Sequence, residues 1–147
     1  MRVFINPGHA LGGNPDPGCV NPALHLRECD LTITYGSLCG KYLEAAGCEV
    51  RLLQSHNLAG ESPGYPCVVE AANAWEADVF VSIHVNAGGG RGVMEHPTFS
   101  VLRNTNMPAV LVETGFIDSD DVGVLTLHGD EIARALARGV TDYWKTI

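Results

Sequence analysis

The most constraining feature of the sequence is the apolar run at residues 79–87, which reads VFVSIHVNA. Its β-branched and aromatic residues follow a turn-like segment and are typical of a strand covered on both faces. His84 ends this run. Open α/β sheets bind ligands beyond the carboxyl ends of their strands, so His84 is a candidate for a functional site. Taken alone, a histidine here is more often a hydrogen-bonded core residue.

The same arrangement occurs at two other places in the chain. Residues 2–6 (RVFIN) form a strand-like run that is followed by His9, and residues 109–112 (AVLV) form another that ends at Glu113. If the three strands lie side by side and parallel, their carboxyl ends meet at one rim of the sheet. Two imidazoles and a carboxylate would then converge from distant parts of the sequence, which predicts a metal site.

Strands and helices alternate along the chain. A helical period is clearest at residues 27–46, where Gly47 follows as a left-handed helix cap. Further helices are predicted at residues 67–75 and 130–144, and a further strand at 48–53. This order predicts an α/β fold, a three-layer sandwich with a mostly parallel, twisted central sheet flanked by helices and a site at the carboxyl ends of the strands.

The connection between the last two predicted strands is unusual. Parallel strands are normally joined by a crossover of a dozen or more residues, which is usually helical. Residues 88–108 are long enough, but three consecutive glycines and two prolines argue against a normal helix. We expect a loop there, with a short extended piece near residues 99–102.

Composition limits the range of partners. The 147-residue chain carries a net charge of −8, which argues against nucleic acid and anionic membrane surfaces, because both call for clustered Lys and Arg. Its length fits one domain, residues 1–147, and we expect a monomer. We expect no signal peptide and no membrane helix, because a strand begins near residue 3 and no apolar run approaches ~20 residues. The five cysteines include no Cys-x-x-Cys motif.

Two acidic residues near the first loop allow alternative roles. Glu28 lies at the start of the first predicted helix, where the helix dipole favours a carboxylate. Alternatively, Glu28 points back over the sheet edge as a metal ligand, and the pattern leaves both alternatives open. Asp16 is the only acid in the Gly- and Pro-rich loop at residues 7–22, where a turn-forming role is favoured over a catalytic one.

The chemistry of these residues suits zinc. Catalytic zinc sites use three N or O ligands and keep a fourth position open to water, and the set His9, Glu28 and His84 meets that description. Such a site also needs a carboxylate that takes a proton from water and passes it to the leaving nitrogen, for which Glu113 remains available. No Ser or Cys lies in a nucleophile elbow.

Four segments of the sequence together indicate a protein family more specifically than any one of them does alone. They are INPGH at residues 5–9, RE at 27–28, VFVSIHVNA at 79–87 and VLRNTNMPAVLVETGF at 101–116. In this order, and spread over nearly the whole chain, they resemble the zinc-dependent N-acetylmuramoyl-L-alanine amidases of the amidase-3 type.

This resemblance implies a peptidoglycan hydrolase that cleaves the amide bond between the lactyl group of N-acetylmuramic acid and the L-alanine of the stem peptide. It implies one catalytic Zn²⁺ bound by His9, Glu28 and His84, with Glu113 as the catalytic glutamate. Three further residues match family positions and are candidate substrate or ligand-supporting contacts: Asn86, Arg103 and Asn106. The enzyme would act on the bacterial cell wall, at the extracellular or periplasmic side, after release or export from the cytoplasm.

The chain departs from the family pattern around residues 87–91. Family members continue from the histidine strand into a further strand and a long helix, where this chain has three glycines. The domain therefore looks shortened. Two other functions stay open: a catalytically impaired module that binds or regulates the wall, and another zinc peptidase or deacetylase with a similar site.

Overall fold

The computed structural model describes residues 1–89 and 92–147. The strands in these ranges are β1 (Arg2–Pro7), β2 (Val20–Asn21), β3 (Leu26–Arg27), β4 (Glu49–Leu52), β5 (Val79–Asn86) and β6 (Ala109–Phe116). The α-helices are α1 (Glu28–Ala45), α2 (Val68–Ala74), α3 (Ser100–Arg103), α4 (Val122–Leu127) and α5 (Gly129–Trp144). Within the described ranges, no helix combines the length and the apolar character needed to cross a membrane.

Four strands form one parallel sheet in the order β4-β1-β5-β6. The prediction that the strands leading to His9, His84 and Glu113 are neighbours is therefore confirmed. Their carboxyl ends lie along one rim, and His84 is directly opposite Glu113 in the register of β5 and β6. The short strands β2 and β3 form a separate antiparallel pair just before α1.

Helices cover both faces of this sheet. On one face, α1 and α5 contribute to a core that contains Val3, Ile5 and Val81. On the other face, the core of α2 and α3 contains Phe4 and Phe80. Because successive side chains of a strand point to opposite faces, β1 and β5 supply both cores. The predicted α/β three-layer sandwich is confirmed.

Helix α1 packs on the sheet through glycine as well as through its apolar residues. Leu31 is only partly buried against the core of α1 and α5, whereas Gly36 is buried. A Cβ atom at Gly36 would lie 2.8 Å from Cγ of Pro7, so only glycine permits this approach. The close packing brings the first residue of the helix, Glu28, to the carboxyl rim of the sheet.

The connection after β5 differs in part from the prediction. The extended piece expected near residues 99–102 is wrong, because Ser100–Arg103 forms the helical turn α3. Val101 is 2% exposed and packs in the core that contains α2. The helical turn forms its own backbone hydrogen bonds, so Val101 is buried there without a neighbouring strand. The shortening predicted around residues 87–91 falls partly on residues 90 and 91, which lie outside the described residues.

One face of β6 is incompletely covered. The strand is at the edge of the sheet, and an apolar groove of about 720 Å³ lies beside it. Val110 and Val112 of β6 line this groove together with Leu136 and Tyr143 of α5. Val110 is 45% exposed, whereas its neighbour in the register, Val81, is 1% exposed.

Replacing Phe80 by Ala should destabilise the fold strongly. Phe80 is fully buried and stacks on Phe4 with ring centroids 5.8 Å apart, so truncation leaves a cavity and should lower the free energy of unfolding by about 3–5 kcal/mol. The matched control is Val124→Ala on α4. Because Val124 is 50% exposed, this substitution should change the free energy of unfolding by less than about 0.5 kcal/mol. Denaturant titration measures both, and equal losses would contradict this description of the core.

Candidate metal centre

Glu28 is the buried centre of the candidate site. It is the first residue of α1 and is 2% exposed. The preceding loop closes on the helix start, because Glu28 N donates to Cys19 O at 2.8 Å and Cys29 N donates to Pro17 O at 3.1 Å. The loop therefore satisfies two N–H groups that the first turn of a helix leaves free, and it fixes the start of α1 at the sheet rim.

Each carboxylate oxygen of Glu28 has two partners. Oε2 accepts a hydrogen bond from Cys19 N at 2.8 Å and lies 2.9 Å from His9 Nε2. Oε1 accepts one from Val85 N at 2.9 Å and lies 3.0 Å from His84 Nδ1. Burial alone would raise the pKa of Glu28, but the hydrogen bonds from the two histidines and the two backbone N–H groups outweigh it and hold the pKa well below its usual range. The buried carboxylate is therefore ionised.

His9 has an uncommon backbone conformation that presents its ring to Glu28. Its φ of 70° lies in the left-handed region that residues other than glycine rarely adopt. The second ring nitrogen, Nδ1, lies 2.9 Å from Oδ2 of Asp16. Burial lowers the pKa of His9, but the hydrogen bonds and negative charges of Glu28 and Asp16 outweigh this effect and raise the pKa to about 9.

Glycines make room for the two imidazole rings. The ring centroids of His9 and His84 are 5.0 Å apart, with an angle of 78° between the planes. A Cβ atom at Gly8 would lie 2.4 Å from Cε1 of His84, and one at Gly18 would lie 2.5 Å from Oε2 of Glu28. Because these distances are far shorter than van der Waals contact, any side chain at either position would displace a member of the group.

His9, Glu28 and His84 together form a group that could hold a metal ion. The ligand atoms of the three side chains all lie within 4.8 Å of one another. Two imidazole nitrogens and an ionised carboxylate are the donor set of a three-ligand zinc site. The two roles that the sequence left open for Glu28 are compatible, because the residue begins a helix and also lies between the histidines.

Glu113 lies beside this group on β6. It is opposite His84 in the strand register, and the residue is exposed at the rim. Partial burial of the carboxyl group raises the pKa of Glu113, and the negative charge of Glu28 adds to this rise, whereas His84 and His9 oppose it. Glu113 therefore has a carboxyl group that a substrate can reach and that holds a proton more readily than an ordinary glutamate does.

The three candidate substrate or ligand-supporting residues lie in different places. Asn86 ends β5 and lines a second cavity, of about 460 Å³, together with Glu113. Arg103 ends α3, and Asn106 precedes β6, where its backbone N donates to Asn73 Oδ1 at 2.8 Å. Arg103 and Asn106 therefore lie toward the amino end of β6, and the described contacts do not join them to the metal group.

Two residues that the sequence pattern does not reveal support the group. The turn role predicted for Asp16 is present, since its Oδ1 accepts from Gly18 N at 3.1 Å, but the contact of its other oxygen with His9 was not expected. Gln54 is buried, and its Nε2 donates to Gly8 O at 3.0 Å and to Cys29 O at 2.8 Å. These contacts depend on loop geometry, and a single Gln after a strand carries no pattern that would reveal them.

Replacing Gly18 by Ala should abolish metal binding. The new Cβ atom would meet Glu28 and His9 at 2.5 Å, so the group cannot keep its geometry. The matched control is Gly12→Ala, because Gly12 has a similar φ of 74° but no atom within 4 Å of its Cβ position. Both variants therefore carry the backbone strain of a positive φ, about 1–2 kcal/mol, but only Gly18→Ala adds a clash. Zinc content after dialysis distinguishes the variants, and equal zinc retention would contradict the predicted steric role.

The metal-free protein should lose stability as the pH rises. The pKa of His9 is raised in the fold from 6.5 to about 9, so its contribution is fully present below about pH 6.5 and is lost as the pH rises through about 9. The free energy of unfolding, measured with chelator present, should therefore fall over this interval. His9→Gln should show a smaller fall, and parallel pH profiles for the two proteins would contradict the proton-linked contact with Glu28 and Asp16.

The chain is similar to known proteins over most of its length. The chain matches the family described as N-acetylmuramoyl-L-alanine amidase over residues 3–94 and 88–142. It is 30% identical to the N-acetylmuramoyl-L-alanine amidase CwlM of Bacillus licheniformis over 172 residues, covering 95% of this chain and 65% of that protein. It is 32% identical to the sporulation-specific N-acetylmuramoyl-L-alanine amidase of Bacillus subtilis, again covering 95% of this chain and 65% of the relative.

A solved structure extends the likeness to three dimensions. The N-acetylmuramoyl-L-alanine amidase AmiC2 of Nostoc punctiforme superposes with a TM-score of 0.79 at 26% identity, covering 99% of this chain and 97% of that one. The chain thus spans somewhat less than two thirds of the two Bacillus relatives but almost the whole of this solved chain. From the family match and the shared fold, the chain belongs to the N-acetylmuramoyl-L-alanine amidase family.

Proposed function

We propose that the protein is a zinc-dependent peptidoglycan hydrolase that cleaves the amide bond between the lactyl group of N-acetylmuramic acid and the L-alanine of the stem peptide. The observation that carries this proposal is the convergence of His9, Glu28 and His84 beside Glu113. Membership of the amidase family supports the choice of bond.

His9, Glu28 and His84 would hold one Zn²⁺. The donor chemistry fits, because two imidazoles and one ionised carboxylate leave a coordination position for water or substrate. Bound there, Zn²⁺ supplies a Lewis acid that polarises the amide carbonyl and makes water easier to deprotonate. The backbone N–H groups of Cys19 and Val85 keep the Glu28 carboxylate oriented and ionised.

Glu113 would carry the proton during hydrolysis. Its carboxylate accepts the proton of the attacking water and then donates it to the leaving nitrogen of L-alanine. The raised pKa of Glu113 suits both halves of this transfer, because a more basic carboxylate takes the proton more readily and still releases it to an amine. Its exposure at the rim gives a bulky muropeptide access.

We treat residues 1–147 as one catalytic domain with a shortened connection near residues 87–91. Two findings support this: the family match falls into the segments 3–94 and 88–142, and the match to the Bacillus licheniformis amidase spans 172 residues, more than the 147 of this chain. Asn86 would contact the muropeptide, since it lines the cavity beside Glu113. Peptidoglycan as substrate would fix the bacterial cell wall as the place of action.

A wall-binding module without catalysis is the competing function. The uncovered face of β6 favours it, because Glu113 belongs to that strand and a loosely supported strand positions a catalytic group poorly. The intact pairing of Glu113 with His84 in the strand register argues for catalysis. Another zinc peptidase or deacetylase would share the site, and analysis of the released products separates it from an amidase.

Two substitutions should separate metal binding from turnover. His84→Ala removes a ligand, so zinc content should fall sharply. Glu113→Gln keeps the shape but removes the proton carrier, so the protein should keep its zinc and lose about 10²-fold or more in turnover. Metal analysis and an activity assay measure the two effects. A full equivalent of zinc in His84→Ala would exclude His84 as a ligand, and normal turnover in Glu113→Gln would exclude Glu113 as the proton carrier.

The direct test of the function is the release of new alanine amino groups from purified peptidoglycan. We expect release that stops with a chelator and returns when zinc is added back. Release that a chelator does not affect would contradict the metal mechanism. No release from a protein that still binds one zinc would favour the wall-binding function.

A further inference from the structure

We propose that Asp16 is a positioning residue of the metal site, which orients His9 through its second ring nitrogen and thereby sets the affinity for zinc. This inference rests on the proposed zinc site and adds a residue outside the three ligands. Asp16 would not touch the ion or the substrate, since it acts through the imidazole of His9.

The two nitrogens of His9 face different carboxylates. Nδ1 lies 2.9 Å from Asp16 Oδ2, and Nε2 lies 2.9 Å from Glu28 Oε2. A neutral imidazole carries one proton, and if a metal ion takes the place beside Nε2, that proton lies on Nδ1, where Asp16 can accept it. The lone pair of Nε2 is then directed toward the ligand group, which is the tautomer that a metal at this position needs.

Asp16 is itself held in place by the same loop. Its Oδ1 accepts from Gly18 N at 3.1 Å, and its backbone O accepts from Ala10 N at 2.9 Å. Ala10 directly follows His9 in the sequence, and Gly18 directly precedes Cys19, whose N–H donates to Glu28. One residue therefore fixes both the His9 ring and the loop segment that supports the Glu28 carboxylate.

A turn-forming role alone does not account for these contacts. The turn needs only Oδ1 and its bond to Gly18 N, whereas Oδ2 is used for His9. The Asp16 side chain is 43% exposed, so burial does not force it against the ring. In addition, His9 has a φ of 70°, and such strain persists only where surrounding contacts determine the conformation.

The test is Asp16→Asn, because the amide keeps one oxygen for Gly18 N–H but places an NH2 group, which cannot accept a hydrogen bond, where Oδ2 faces His9 Nδ1–H. Competition with a chromophoric chelator should show a zinc dissociation constant raised about 10–100-fold. The visible spectrum of the Co²⁺-substituted protein should also change, since it reports ligand orientation. Asp16→Glu keeps the carboxylate and should recover part of the lost affinity.

The matched control is Asp30→Asn, which removes the same charge two residues from Glu28. Asp30 pairs with Arg27 at 2.7 and 2.8 Å, and zinc affinity should match that of the unmodified protein. Unchanged affinity in Asp16→Asn, or an equal loss in Asp30→Asn, would overturn the inference. An equal loss in Asp16→Glu and Asp16→Asn would also overturn it, because the carboxylate would then not be the group that sets the affinity. An unmodified protein that binds no zinc would instead overturn the proposed function, so the two failures are distinguishable.

Discussion

The described site depends on the contacts that keep the buried carboxylate of Glu28 ionised. A buried carboxylate is strongly unfavourable unless donors surround it, and here the donors come from separate parts of the chain: the first loop through Cys19 N, β5 through Val85 N, and two imidazoles. None of these donors is adjacent to Glu28 in the sequence. The loop, α1, β1 and β5 must therefore all be packed before the charge is satisfied, which links formation of the site to completion of the fold.

The parts of the fold that the sequence predicts follow from periodicity and strand order. β5 has apolar residues on both faces because helices cover both sides of the sheet, and that continuous run is visible without a structure. The convergence of His9, His84 and Glu113 follows in turn from one physical rule, that parallel neighbours present their carboxyl ends at the same rim. Placing Glu28 beside the histidines needed the family resemblance, because a helix start offers an acid an equally good reason to be there.

The features that the sequence did not predict depend on how closely atoms approach one another in the fold, and the hydrophobic pattern of a sequence does not describe this. Gly8, Gly18 and Gly36 matter through the atoms that a Cβ would meet, and a hydrophobic pattern assigns glycine no role. The contact of Asp16 with His9 arises from the path of a loop, which propensities do not specify. The short extended piece predicted near residues 99–102 is instead a helical turn, in which Val101 packs into the core.

The edge position of β6 has a consequence for how the site responds to heat. His9, Glu28 and His84 lie on or beside elements enclosed by the sheet and α1, whereas Glu113 belongs to the outermost strand, whose groove-facing side is incompletely packed. Local opening requires least free energy where few apolar contacts must be broken. On warming, the groove-facing side of β6 should therefore loosen before the group of His9, Glu28 and His84 separates. Under the proposed function, the protein would then pass through a temperature range in which it still holds its ion but turns over little substrate.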